Sequence, residues 1–280
     1  MIFLSLAFVF VYKQLKQIPS LDPSKNEVTS VLDGNKSQRS YLPESTNEGL
    51  LIHHTYYSLS YMEKHEQAEW VSYILTEASL RLPNVKRYKR YIPDYDVSTR
   101  SAFHRDYSGS GYTRGHLAPA GDMAFDSLAM KESFFMSNMS PQLRAFNNGI
   151  WKELEEQTRD WAFHNDELII VTGPVLKGIK KTIGKQNKVS VPKYFYKVIL
   201  DIVTPQQKGL AFIIPNQLSA RPLQEYAVTI DSVEALTDID FFANLLEDNL
   251  ERKLESKIDL KNWNFSNKRY RLRKDKWNYQ

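Results

Sequence analysis

The sequence predicts one mixed α/β domain running from about residue 49 to residue 255. Three observations carry that prediction. Runs rich in β-branched and aromatic residues at 168–172, 189–203 and 209–214 are bounded by Gly, Pro or Asn and read as buried strands. Other stretches space their apolar residues as one face of a helix does. No internal repeat or low-complexity linker interrupts residues 50–255.

Taken in order, HHTYYSLSYM at 53–62 is aromatic-rich and reads as a strand. EQAEWVSYILTEASL at 66–80 places Trp70, Ile74, Leu75 and Ala78 at helical spacing and reads as a helix. Residues 84–111 are polar, with little regular signal. A helix signature begins near Phe146, and residues 240–254 read as a final acidic, amphipathic helix.

The two ends differ from this body. Met1 to Tyr12 are almost entirely apolar, and Lys13 and Lys16 close the run. A bilayer-spanning helix needs about twenty residues, so this run is short for a span and suits a signal-peptide core. Residues 1–16 are therefore expected to be an export signal or short membrane anchor, although no cationic stretch precedes them. A buried N-terminal strand is the alternative. Residues 17–48, rich in Ser, Pro, Asn, Asp and Lys, suit a flexible linker. The expected location is thus periplasmic, extracellular or anchored on the outer side of a membrane. At the other end, residues 256–280 read as a basic tail that either binds nucleic acid or anionic lipid or is simply solvated.

The 280 residues carry no cysteine, which excludes a disulfide scaffold, a thiolate zinc site, an iron–sulfur cluster and a cysteine nucleophile. Net charge is +4, yet residues 252–276 alone hold ten Lys or Arg against Glu255, Asp259 and Asp275. The remainder is therefore slightly acidic, and any anion-binding capacity of the domain must be local.

Two segments concentrate chemistry. In SGSGYTRGHLAPAGDM (108–123), glycines loosen the backbone before a histidine, without the spacing of a phosphate-cradling P-loop. Arg114 and His116 are two apart and share a face if the segment is extended. In SNMSPQLRAFNNGIWKELEEQTRD (137–160), Asn147, Trp151, Glu155 and Arg159 recur every four residues, on one side of a helix. That stripe is either a metal-and-phosphate site or a routine helix. In the routine reading, Glu155 and Arg159 form an i,i+4 ion pair worth about a few tenths of a kcal/mol.

YTRGHLAPAGDM, then SNMSPQ, then FNNGIWKELE resembles the DNA/RNA non-specific endonuclease family, to which mitochondrial endonuclease G belongs. The family signature is Asp-Arg-Gly-His followed by Leu-Ala-Pro-Ala, then Asn-x-x-x-Trp-x-x-Leu-Glu. The likeness runs from about residue 53 to residue 250 and includes TGP at 172–174 and the strand VPKYFYKV. It implies an α+β fold: a ββα-metal nuclease core on a mixed, largely antiparallel β-sheet with flanking helices. His116 matches the general base, and Asn147 the single protein ligand to Mg²⁺, with Mn²⁺ as a substitute. Glu155 matches the glutamate that orients water on the metal. Arg114 and Arg159 match contacts to the scissile phosphate. Arg87, crowded by Lys86, Lys89 and Arg90, aligns less closely with a further family arginine, and Asn138 matches a buttress of the site.

One departure is Thr113, which stands where the family has aspartate; it keeps a hydrogen-bonding oxygen and loses the charge. The resemblance implies metal-dependent, sequence-non-specific hydrolysis of DNA and RNA, and it leaves the oligomeric state open, a homodimer included. Two rivals remain: a weak or inactive nuclease-fold module that binds nucleic acid, and a membrane-associated protein acting on another phosphodiester. No His-Glu-x-x-His spacing supports zinc hydrolysis.

Overall fold

The computed structural model describes residues 41–203 and 206–279. The expected signal or anchor, and the expected linker through residue 40, lie outside the described residues. In chain order the elements are β1 (Glu44–Ser45), β2 (Leu50–His53), β3 (Ser58–Met62), β4 (Gln67–Thr76), α1 (Glu77–Arg81), β5 (Thr113–His116), α2 (Ser127–Glu132) and β6 (Met139–Gln142). They continue with α3 (Lys152–His164), β7 (Glu167–Pro174), β8 (Thr182–Ile183), β9 (Val189–Ser190), β10 (Tyr194–Asp201), β11 (Lys208–Pro215), β12 (Ala227–Val228), α4 (Ile230–Thr237), β13 (Ile239–Asp240), α5 (Asp248–Glu255) and α6 (Asn267–Asp275).

Seven strands form one sheet in the order β12-β11-β10-β7-β4-β3-β2, and every pairing in it is antiparallel. The strands at its centre bury both faces, so both alternating sets of side chains are apolar. On β10, Phe195 and Ile199 join Trp151, Leu154 and Trp161 of the α3 side. Tyr196, Val198 and Leu200 point the other way, against Ile230 and Val233 of α4 and Leu254 of α5. Each fully buried aliphatic or aromatic side chain stabilises such a core by about 1.5–3 kcal/mol relative to exposure. The fold class implied by the resemblance, α+β on a largely antiparallel sheet, is the one observed.

The segment at 66–80 is a correction. It forms β4, and only Glu77–Arg81 is helical, capped by Thr76 Oγ1 accepting from Ser79 N. A four-residue repeat such as Trp70–Ile74 is also an even repeat, so it satisfies a strand as well as a helix. Trp70 and Ile74 lie on one face of the sheet, Val71, Tyr73 and Leu75 on the other. Two-sided burial erased the polar alternation that marks a one-sided strand.

Smaller differences follow similar logic. Residues 53–62 belong to a hairpin, β2–β3, whose turn is closed by His54 N donating to Tyr57 O at 2.9 Å. Residues 189–203 hold two strands, parted by Pro192, which has no N–H for a ladder. Of residues 240–254, helix begins only at Asp248. The preceding turn instead sends Phe241, Phe242, Leu245 and Leu246 into the core.

The basic segment is not a solvated tail. Trp263 and Phe265 pack edge-on to Trp161 at 5.0 and 5.3 Å, and Trp161 Nε1 donates to Asn264 O at 2.9 Å. Arg269 pairs with Glu156 and Asp160 of α3. Arg273, 0% exposed, donates to Glu153 and to the carbonyl oxygens of Ser219 and Arg221. Glu153, Glu156 and Asp160 of α3 thus neutralise two of the cations that made the segment look like an anion-binding tail. Lys268, Arg271, Lys274 and Lys276 remain exposed.

Candidate active site

β5 pairs antiparallel with β6, setting Arg114 opposite Pro141 and His116 opposite Met139, and the chain then turns into α3. This ββα unit stands beside the main sheet. Between its strands and its helix lies a cleft of about 440 Å³ lined by Arg87, Arg114, His116, Asn147, Glu155 and Arg159, together with Thr113, Tyr91 and Lys152. All six site residues named from the sequence converge there.

Small residues let the backbone into this space. A Cβ on Gly115 would stand 2.0 Å from the Gln142 side chain, and one on Gly121 would stand 2.8 Å from Arg159 Nη1. Asn138 locks the chain just past the histidine: its Oδ1 accepts from Ala118 N at 2.8 Å, while its Nδ2 donates to Ala118 O and Ser133 O. The buttressing position implied by the resemblance is therefore a concrete set of bonds.

His116 is 8% exposed, edge-on to Phe134 at 4.8 Å, and its Nε2 is buried without a hydrogen-bond partner in the protein. Burial, reinforced by the Arg87 guanidinium, pulls its pKa down to about 3. The imidazole is neutral at pH 7, and the burial that keeps it so also weakens it as a base until a phosphate brings negative charge beside it.

Asn147 does not sit on a continuous helical stripe. The backbone from Phe146 to Trp151 makes a wider, π-type turn, and Gly149 leaves helical geometry at φ −96°, ψ −111°. A Cβ there would stand 2.6 Å from Asn278 Oδ1. Trp151 faces the core, stacked on Phe146 at 5.3 Å, so only Glu155 and Arg159 of the α3 stripe reach the cleft. The amide of Asn147 is oriented by Thr113. Thr113 Oγ1 donates its only proton to Gln142 O at 2.9 Å and must therefore accept at 3.0 Å from Asn147 Nδ2. Oδ1 is left as the amide's ligand atom.

The ion pair expected between Glu155 and Arg159 is also corrected. Arg159 Nη1 binds Asp122 Oδ1 at 2.7 Å, and Asp122 Oδ2 accepts from Tyr73 OH at 2.7 Å. Glu155 is pushed above the usual carboxylate range by burial, a shift opposed by the charges of Arg159 and Lys197. Lys197 shares the β10 face of Phe195 and Ile199. It is 0% exposed, its Nζ has no hydrogen-bond partner, and it lies 5.3 Å from the Trp151 ring centroid. Arg114 is held with Nη2 donating to His104 O at 2.7 Å and its guanidinium over Tyr91. Arg87 lies over Phe134.

Sequence reasoning missed Asp122, Tyr73 and Lys197. Asp122 lies inside the 108–123 motif, where its spacing does not mark it, and Lys197 is legible as a lone charge at an inward position of an apolar strand. A single amide oxygen with a nearby carboxylate and no sulfur donor suits a hard cation such as Mg²⁺, which keeps several waters. Two other groups of metal-type donors converge among the described residues: His54, Asp94 and Asp96, and Asp231, Glu234 and Glu255. In the first, His54 Nε2 is engaged with Asp94 at 2.9 Å and Asp94 also accepts from Ser137, so its polar atoms serve one another.

A ββα unit presenting a histidine opposite a helix-borne amide and carboxylate, with three arginines around them, defines a class. The chain belongs to the DNA/RNA non-specific endonuclease family, whose model matches residues 35–248. Among its relatives, a nuclease of Nostoc sp. is 31% identical over 263 residues, covering 89% of this chain and 92% of that protein. Nuclease C1 of Cunninghamella echinulata is 37% identical over 208 residues, covering 68% of this chain and 81% of the relative. The mitochondrial nuclease EXOG of Homo sapiens is 32% identical, and this chain spans 56% of its length. A chain in the crystal structure of the EndoG/EndoGI complex superposes with a TM-score of 0.65 at 30% identity, covering 70% of this chain and 86% of that one.

Proposed function

We propose that this protein is a Mg²⁺-dependent endonuclease that hydrolyses phosphodiester bonds in DNA and RNA with His116 as general base. The observation that carries this reading is the meeting of a neutral, buried imidazole, three guanidinium groups and the oriented Asn147 amide in one cleft. His116 accepts a proton from water as its oxygen attacks phosphorus in line with the 3′ oxygen, and the bond from phosphorus to that oxygen breaks. The departing 3′ oxygen takes a proton from solvent water, so that a 5′-phosphate and a 3′-hydroxyl result. Arg114, Arg159 and Arg87 hold phosphate oxygens by charge-assisted hydrogen bonds, which address the backbone and not the base edges. Little sequence preference follows.

Asn147 Oδ1 and Glu155 are the groups that would hold the cation and its water shell. When bound, Mg²⁺ stabilises negative charge on the phosphate and on the leaving oxygen. Asp122 keeps Arg159 in place, and Tyr73 keeps Asp122 in place. The lost charge at Thr113 was the main argument for an inactive binding module, and the bond from Asn147 to Thr113 weakens it. We also place the protein outside the cytoplasm, on the apolar run at its start. Fusing residues 1–48 to a reporter active only after export tests that placement.

The function is tested with supercoiled plasmid and single-stranded RNA, each with Mg²⁺ or chelator. Cleavage of both, stopped by chelator and indifferent to sequence, is expected. Tight binding of both with no cleavage under any divalent cation would replace the enzyme with the binding module.

A further inference from the structure

On the sheet face away from the cleft, α4 and α5 bring acids together. Donor oxygens of Asp231, Glu234 and Glu255 lie within 4.8 Å of one another. Glu255 is 5% exposed, and its Oε1 is buried with no hydrogen-bond partner. A buried carboxylate oxygen without a partner is costly, and native proteins rarely leave one. Asp240 and Glu251 add further negative charge around Glu255, and among the described residues none of these five acids is in an ion pair with Lys or Arg. Glu234 accepts from Phe241 N at 3.0 Å, and Asp240 beside the cluster accepts from the Ala243 backbone.

We propose that Asp231, Glu234 and Glu255 form a binding site for a hard divalent cation of the Ca²⁺ type, separate from the catalytic cleft. All donors are oxygens, the chain holds no cysteine, and no imidazole joins the group. That set suits Ca²⁺ over zinc and the later transition metals. Three carboxylates from two helices supply part of a shell of about six to eight oxygens, with solvent reaching the exposed Asp231 side. A cation here ties α4 to α5 across the core that contains Ile230 and Leu254.

The test is thermal unfolding of the full chain, stripped of metal, in chelator and in millimolar CaCl₂, beside Asn147→Ala, Glu255→Gln and Asp231→Asn. Ca²⁺ is expected to raise Tm of the wild type and of Asn147→Ala by the same increment. Glu255→Gln should lose the increment, and Asp231→Asn, at an exposed position, should fold normally and shrink it. Calorimetric titration with CaCl₂ should give a heat in wild type and in Asn147→Ala that Asp231→Asn weakens at least several-fold. No Tm increment in wild type overturns the site, as does an undiminished increment in both acidic variants. Loss of the increment in Asn147→Ala would move the ion to the catalytic cleft and equally overturn it. These outcomes do not depend on whether the protein cleaves nucleic acid.

Discussion

Asn147 donates through Nδ2 to Thr113 Oγ1 at 3.0 Å, and the one hydroxyl proton of Thr113 goes to Gln142 O at 2.9 Å. Threonine therefore performs a task that aspartate would perform in its place: it accepts from the amide and turns Oδ1 outward. Thr113→Val removes both bonds while keeping the shape. Groups that orient a metal ligand are worth about 10–100-fold in metal affinity or activity. A Mg²⁺ titration of the cleavage rate should show a loss of that order in Thr113→Val and near-recovery in Thr113→Asp. An unchanged titration in Thr113→Val would mean that Asn147 needs no orientation.

Asp122 joins Tyr73 to Arg159 and lies buried. Removing one partner of a buried pair strands the other, at a cost of about 3–5 kcal/mol. Asp122→Ala should lower stability to urea by that amount and reduce cleavage as well. Tyr73→Phe keeps the ion pair and should cost only about 1 kcal/mol, the usual net worth of one hydrogen bond. Equal losses in the two variants would contradict this order.

The C-terminal segment should behave as part of the core. Arg273→Ala leaves Glu153 buried and uncompensated and is expected to cost about 3–5 kcal/mol. Lys268→Ala and Arg271→Ala, at exposed positions, should stay within about 0.5 kcal/mol of wild type. Deleting residues 261–280 consequently tests folding before it tests nucleic-acid or lipid binding. A truncated protein that melts like the wild type would restore the tail.

His116 sets a pH dependence whose sign is fixed. Its folded pKa, about 3, lies below the unfolded value of about 6.5. Between those values the unfolded chain binds a proton that the native state excludes, so stability is lost as pH falls through that window. Urea unfolding at pH 7.5, 5.5 and 4.5 should show wild type losing stability faster than His116→Gln. Parallel losses would mean that the imidazole is not held neutral.

Much of the site was readable because its residues are local in sequence. Spacing put Arg114 with His116 on one short strand and Glu155 with Arg159 on one helix, while the family resemblance assigned their roles. What spacing missed was long-range. Asp122 takes Arg159 from its helical neighbour Glu155 because it comes from another element and is already anchored by Tyr73. Lys197 acts on Glu155 through its charge, from a strand that begins about forty residues after α3 does. In the fold, β4 was misread because a repeat of four is even, and the strand carries apolar residues on both faces. The basic segment was misread because the partners of Arg269 and Arg273 are acids of α3 more than a hundred residues earlier. Only tertiary packing shows that those charges are already paired.

We propose His116 as the group that takes the proton in phosphodiester cleavage. A general base contributes about 10²–10⁴-fold to such a step. The direct measurement is the single-turnover cleavage rate of plasmid in saturating Mg²⁺ for wild type and His116→Ala, with both shown folded by circular dichroism. Cleavage by the wild type, and a rate lower by that factor in the variant, are expected. Equal rates in the two proteins, or no wild-type cleavage above background, would contradict it.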